Sequence, residues 1–305
     1  MRSLHHRDDR HLGWANDQPP ALTIDPGTEV ELTLADCFDG QLGGDATAAE
    51  IARLDLARAN PLTGPIHVAG ARPGDVVAIE ILEVAVGAVG WTALIPGFGL
   101  LADEFPEPHV VVSRIDQGRV RFGEVAELPA RPFLGTIGLA PAAPGVHSVI
   151  PPRRVGGNLD CRDVRPGATL LLPVEVAGGS LSAGDGHAAQ GDGEVCGTAV
   201  ETSVTARLRV GLRRDVWIGA PQLELPQEGT SPVGRRHVTT GVGPDLLVGA
   251  RDATRSMIEA LGRHAGLSPP DAYALCSVAG HLRIAEIVDA PHWVVAMELD
   301  LSVLD

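Results

Sequence analysis

The segment GDGHAAQGDGEVCGTAVE, residues 184 to 201, sets four carboxylates, one histidine and five glycines within eighteen residues. Such groups bind metal ions or move protons, and a strand that only fills a core has no use for buried charge. Asp185 and His187 stand two residues apart. On a strand both side chains point to one face, with Gly184 and Gly186 keeping the backbone side clear. That is a two-ligand claw for zinc or a similar divalent ion. A catalytic centre needs a third ligand and an open position for water. Asp36 and Asp39 in LADCFDGQL, Asp160 in GGNLDCRD and His147 in PGVHS are the candidates. Glu194 and Glu201 then act as general base or bind a substrate amine. Calcium as a structural ion is an alternative occupant, although Asp185 to Glu194 does not follow the twelve-position EF-hand pattern. The competing reading is that the repeated GDG only makes tight turns.

Other chemistries fall away. A nucleophile elbow needs G-x-S-x-G, and neither Ser180 nor Ser182 in GGSLSAG has glycines at both flanking positions. All 24 basic residues are arginine, so Schiff bases, Walker phosphate loops and lysine general bases are excluded. Cys196 is a candidate nucleophile beside His187, set against the commoner role of a cysteine as packing. The four cysteines are far apart and form no CxxC pair, and MRSLHHRDDRHLGW has no apolar signal core. Both features predict a cytoplasmic protein with free thiols. A net charge of −15 argues against a nucleic-acid partner. Residues 84 to 102 carry no charge over a membrane-spanning length, but their glycines and Pro96 argue for a buried strand and an apolar loop, not a membrane span. Arg235-Arg236 reads as surface charge, and His5, His6 and His11 as solvated.

The elements that must position these groups are mostly strands. Aromatics are 3% of the chain, with 37 Gly and 24 Pro, a composition suited to turn-rich β structure. Residues 20 to 36 alternate on either side of Asp25-Pro26-Gly27, and residues 66 to 84 do so around Arg72-Pro73-Gly74-Asp75. Residues 164 to 187 repeat the pattern a third time. These units predict a mainly β fold, sandwich- or barrel-like. Residues 203 to 214 form a half-exposed strand. A helix is predicted over residues 45 to 60 and another over 243 to 266, with Gly266 as its stop. A third begins at Ser268, a natural N-cap before two prolines. Residues 282 to 289 and 292 to 299 form a hairpin. The C-terminal part is therefore α+β. Pro151-Pro152 suggests a division into a β-rich region, residues 1–150, and a site-bearing region with the α+β part, residues 151–305.

Residues 156 to 201 resemble the acetamidase/formamidase family. So do PALTIDPGTEVELTLADCFDGQL (20 to 42), NPLTGPIHVAGARPGDVV (60 to 77), IPGFGLL (95 to 101) and DAYALCSVAGHLRIAEIVD (271 to 289), in the family's order. The resemblance implies a hydrolase of small aliphatic amides, a mainly β fold with a jelly-roll-like part and a smaller α+β C-terminal part, and a metal-containing homodimer or dimer of dimers. One residue departs from the family pattern. His281 stands where the family usually has an acid before the Leu-Arg of the C-terminal strand.

Amide hydrolysis needs activated water and a polarised carbonyl, and a divalent ion, zinc first among them, supplies both. On this reading Asp36, Asp185 and His187 hold the ion, with Asp160 as a further ligand. Glu194 carries the proton from water to the leaving nitrogen, Glu201 is the alternative base, and Asn158 or Gln190 donates to the oxyanion. The apolar loop from Ile95 to Leu101 closes the pocket and favours small acyl groups. The rival readings are hydrolysis of another C–N bond, such as a γ-lactam or carbamate, and a non-catalytic metal- or ligand-binding β module.

Overall fold

The computed structural model describes residues 2–226 and 236–304. Two large sheets carry the fold. The first has nine strands in the order Arg2–His5, Thr28–Leu34, Val204–Arg213, Val76–Val86, Thr169–Pro173, Gln222–Leu225, Arg236–Gly243, Trp293–Asp300 and His281–Glu286. All its pairings are antiparallel except that of the first two strands. The second sheet has eleven strands. Its centre runs Val89–Leu94, Val200–Thr202, Leu181–Ala189, Phe133–Gly138 and Gly156–Asn158, and Leu62–Val68 also pairs with Leu181–Ala189. Both sheets interleave strands from either side of residue 150.

Alternation along the first sheet drives one face into the core. Thr28–Leu34 buries Val30, Leu32 and Leu34, while Val204–Arg213 buries Val204, Ala206, Leu208 and Val210. The core between the sheets receives these residues together with Leu134, Ile137, Leu181 and Ala183 of the second sheet. Leu181–Ala189 is buried along its whole length, as a central strand covered on both faces must be.

Two glycines of that strand serve this packing. A Cβ on Gly186 would overlap the Val204 side chain, and one on Gly184 would overlap the Pro61 carbonyl. They let the strand lie close to its neighbours on the side away from the claw.

Most expected elements are present. The helix Leu246–Ala265 ends on left-handed Gly266, and Pro269–Ala279 starts from the Ser268 cap with both prolines in its first turn. The hairpin forms from His281–Glu286 and Trp293–Asp300. Residues 45 to 60 differ. They hold one helical turn, Ala48–Ile51, and a 3-10 turn, Leu56–Arg58. Asp55 accepts from the Ala57 amide and opens that second turn, so a local side-chain bond interrupts the helix. The third Pro-Gly unit also differs, because its Pro166-Gly167 turn has a strand only on its C-terminal side. Arg236 is not free surface charge but pairs with Glu298 at 2.6 Å, while Arg235 lies outside the described residues. His11 is half-buried on the Ser182 hydroxyl. No helix among the described residues is long and apolar enough to cross a membrane.

Candidate active site

The Leu181–Ala189 strand brings Asp185 to one end of a cavity of about 370 Å³, with His187 packed against it from behind the lining. The neighbouring strand Val200–Thr202 pairs Glu201 opposite His187, and the turn between the two strands supplies Glu194. Asp160 follows the Gly156–Asn158 strand. Asp289 comes from the loop inside the C-terminal hairpin. Asp160, Asp185, Glu194, Glu201 and Asp289 all line the cavity, and all are buried.

His187 is held in one orientation. Gln190 donates through Nε2 to the Asp160 carbonyl at 2.7 Å, which turns its Oε1 toward His187 Nδ1 at 2.9 Å. An oxygen facing Nδ1 requires a proton there. The other ring nitrogen, Nε2, then lies 3.1 Å from Asp185 Oδ1 and 3.1 Å from Glu201 Oε2. A lone pair facing two carboxylates is repulsive, so Nε2 carries either a proton or a metal ion. Phe133 closes the ring's edge with centroids 4.9 Å apart.

The charges are organised accordingly. Burial alone would lower the His187 pKa, but Asp185 and Glu201 outweigh it and raise it well above the ordinary value. Burial pushes Asp185 up, and His187 more than offsets this, leaving its carboxyl below the usual range. Burial pushes Glu201 up to about 8. Asp160, Glu194 and Asp289 are also raised, first by burial and then by acidic neighbours.

These groups fit a metal ion. Both Asp160 oxygens, Asp185 Oδ1, His187 Nε2 and Glu201 Oε2 are buried with no well-aligned hydrogen-bond partner. Asp160, His187 and Glu194 bring ligand atoms within 4.8 Å of one another, and so do Cys37, Asp185 and Glu201. Carboxylate and imidazole donors suit zinc and similar divalent ions. Gly135 keeps the space open. A Cβ there would lie 2.5 Å from Asp160 Oδ1, 2.6 Å from Asp185 Oδ2 and 2.8 Å from His187 Cε1.

Other sequence candidates take different places. Asp36 Oδ1 accepts the Phe38 and Gly40 amides, so its carboxylate closes its own turn; the next residue, Cys37, lines the cavity instead. Asp39 pairs with Arg10 and Arg58. His147 is held on the Ala143 carbonyl. Gln190 gives one Nε2 hydrogen to the Asp160 carbonyl and is not among the residues that line the cavity, so its contacts are those of a residue that orients His187. Asn158 lines the cavity. Its Oδ1 accepts from Asn60 at 3.0 Å and from Thr136, and its Nδ2 donates to Asp289 Oδ2 at 2.6 Å. Cys196 faces the Thr198 carbonyl at 3.3 Å on a separate apolar surface with Leu100 and Phe105. His281 is exposed on the sheet's edge strand, away from the cavity.

Sequence reasoning missed Cys37, Asn60, Gly135 and Asp289. Asp289 and Asn60 lie in segments that carry the family resemblance, which was the available signal. Asn60, Asp160, Asp185 and Glu194 all have positive φ, between 40° and 50°. Non-glycine residues in that region are strained, and their gathering on one cavity is typical of a functional site.

The profile of the Acetamidase/Formamidase family matches residues 2–148 and 142–305. A formamidase of Methylophilus methylotrophus is 31% identical, with 67% of this chain and 64% of that enzyme covered; the chain thus spans just under two thirds of its length. The crystal structure of an acetamidase from Bacillus halodurans superimposes with a TM-score of 0.88 at 31% identity, covering 99% of this chain and 98% of that one. A gamma lactamase from Delftia acidovorans gives 0.69 at 25% identity, covering 97% and 90%. The fold, the profile match along both halves and these likenesses agree: the chain belongs to the acetamidase/formamidase family.

Proposed function

We propose that this chain hydrolyses small amides to a carboxylate and ammonia in the carboxylate-lined cavity. The observation that carries the reading is the position of His187 Nε2, 3.1 Å from two buried carboxylates and oriented by Gln190 through the opposite ring nitrogen. Metal-binding histidines are commonly oriented in this way. Asp185, His187 and Glu201 would hold a divalent ion, with Asp160 adjoining. Zinc suits these donors. Such an ion lowers the pKa of water and polarises a carbonyl.

The chain's own groups do the rest. Asn158, pinned by Asp289, Asn60 and Thr136, presents its amide to the substrate carbonyl. A preorganised donor of this kind contributes about 3 kcal/mol at an oxyanion. Water adds to the carbonyl carbon. Glu194 takes the water proton and delivers it to the amide nitrogen as the C–N bond breaks, so ammonia leaves and the carboxylic acid remains, which then gives its proton to solvent or to ammonia as the carboxylate forms. Burial raises the Glu194 pKa above the ordinary carboxylate value, which favours its holding the proton until the nitrogen takes it. The Ile95–Phe98 segment forms an apolar wall beside the reacting centre.

The likeness to the Delftia acidovorans lactamase supports a second reading, opening of a γ-lactam, whose cyclic amide would meet the same groups. The test is ammonia release from formamide and acetamide by the purified protein, before and after chelation, with zinc restored. Loss and recovery of activity is the expected result. Activity indifferent to chelation removes the metal from the proposal. Ring opening of a lactam with no ammonia from any linear amide favours the second reading.

A further inference from the structure

The acidic end of the cavity is only part of its wall. Phe38, Leu56, Ala59, Ile95, Phe98 and Ile150 line the remainder. They come from loops and turns outside the two strands that carry Asp185, His187 and Glu201. The Ile95–Phe98 segment sits tightly on the turn that follows Glu194: a Cβ on Gly99 would lie 2.8 Å from the Cys196 carbonyl oxygen. Leu100 and Leu101 point outward and leave the cavity unfilled.

The space exceeds what the smallest amides need. A water occupies about 30 Å³ of liquid, so about 370 Å³ holds on the order of twelve water-sized groups. An ion and the attacking water take about two of these places, and the four heavy atoms of acetamide leave about half of the remainder empty. What lies there is apolar wall. No arginine or histidine is among the described lining residues, so a charged group at the acyl end would leave water for an apolar wall with no cationic side chain to pair with.

From this we infer that the chain selects uncharged amides with an apolar acyl group of about four to six carbons, larger than formyl or acetyl. The inference rests on the amidase reading and names its substrate class. Each methylene that leaves water for the apolar wall raises kcat/KM by about three- to fourfold until the cavity is full. Substrate choice then lies with the loops, and the chemistry with the strands.

The experiment compares kcat/KM for ammonia release from formamide, acetamide, butyramide, hexanamide and succinamate, with the purified full chain supplied with zinc. The expected result is a rise from formamide to hexanamide and little turnover of succinamate, the charged analogue. In an Ala59→Leu protein, which narrows the apolar end, the ratio of hexanamide to acetamide falls; a merely structural defect lowers both rates together. A flat or falling series with good formamide turnover overturns the inference and leaves the amidase reading intact. Succinamate turned over as well as butyramide overturns the charge argument and the inference with it. No ammonia from any of the five overturns both.

Discussion

Gln190 Oε1 lies 2.9 Å from His187 Nδ1, and this one contact decides which imidazole nitrogen faces the carboxylates. The Gln190 amide is itself fixed by the Asp160 carbonyl. A hydrogen-bonded chain therefore runs from one acidic residue's backbone, through Gln190, to the ring between two others. Its consequence is measurable. Gln190→Leu removes the acceptor and lets the ring turn. Loss of such a partner typically costs about 10- to 100-fold in metal affinity or activity. Gln190→Glu keeps an acceptor for Nδ1 but loses the donor to the Asp160 carbonyl, so it should retain more of both than Gln190→Leu and less than the parent. Zinc titration and kcat/KM on the two variants check this; equal behaviour would deny Gln190 the orienting role.

Asp185 and Glu201 meet at His187 Nε2, so each should matter to whatever that nitrogen carries. Asp185→Asn and His187→Ala are expected to lose bound zinc and ammonia release together, with the fold kept. Elemental analysis of the purified variants, alongside circular dichroism, provides the readout. A variant that keeps both metal and full activity would remove that residue from the ligand set.

Gly135 tests whether the space itself is needed. Its strand is fully buried, and a methyl group would enter between Asp160, Asp185 and His187. Gly135→Ala should weaken metal binding strongly and destabilise by about 1–3 kcal/mol, the usual cost of overpacking. Isothermal titration with zinc and urea unfolding measure the two effects separately. Unchanged zinc affinity would mean that the carboxylates can move apart freely.

The parts of this arrangement differ in how far sequence reveals them. Asp185, His187, Gln190, Glu194 and Glu201 lie in one segment, where strand alternation and a tight turn place neighbours in sequence close in space. Asp36 shows the limit of that logic. It is the more obvious ligand in LADCFDGQL, but a short carboxylate after a strand can bond its own following amides, and it does so with Phe38 and Gly40. Cys37 turns to the cavity instead. Asp289 and Gly135 come from distant segments, and only the assembled sheets bring Asp289 to the cavity and Gly135 to His187. Likewise, alternation exposes strands and caps expose helix ends, but the interleaving of strands from both halves of the chain is a long-range outcome with no local mark.

Away from the cavity, His237 makes a prediction about pH. It is buried in the Arg236–Gly243 strand, with Nε2 3.1 Å from Gln222 Oε1 and its ring edge-on to His264, centroids 5.3 Å apart. Burial, and then the nearby His264, lower its pKa from 6.5 to about 4. The folded state thus holds the ring neutral where the unfolded chain would protonate it. The sign follows from proton counting. Between pH 6.5 and 4 the unfolded state binds more protons, so stability falls as the pH falls. Above 6.5 the contribution is fully present, and below 4 it is lost, a change of about 3 kcal/mol. The raised carboxylates of the cavity act in the opposite sense, because the folded state keeps their protons. A comparison with His237→Phe isolates the histidine from them. Urea midpoints measured at pH 7, 5.5 and 4.5 should fall more steeply for the parent than for the variant. Parallel declines would mean that His237 is protonated in the fold, with Gln222 and His264 rearranged to accept the charge.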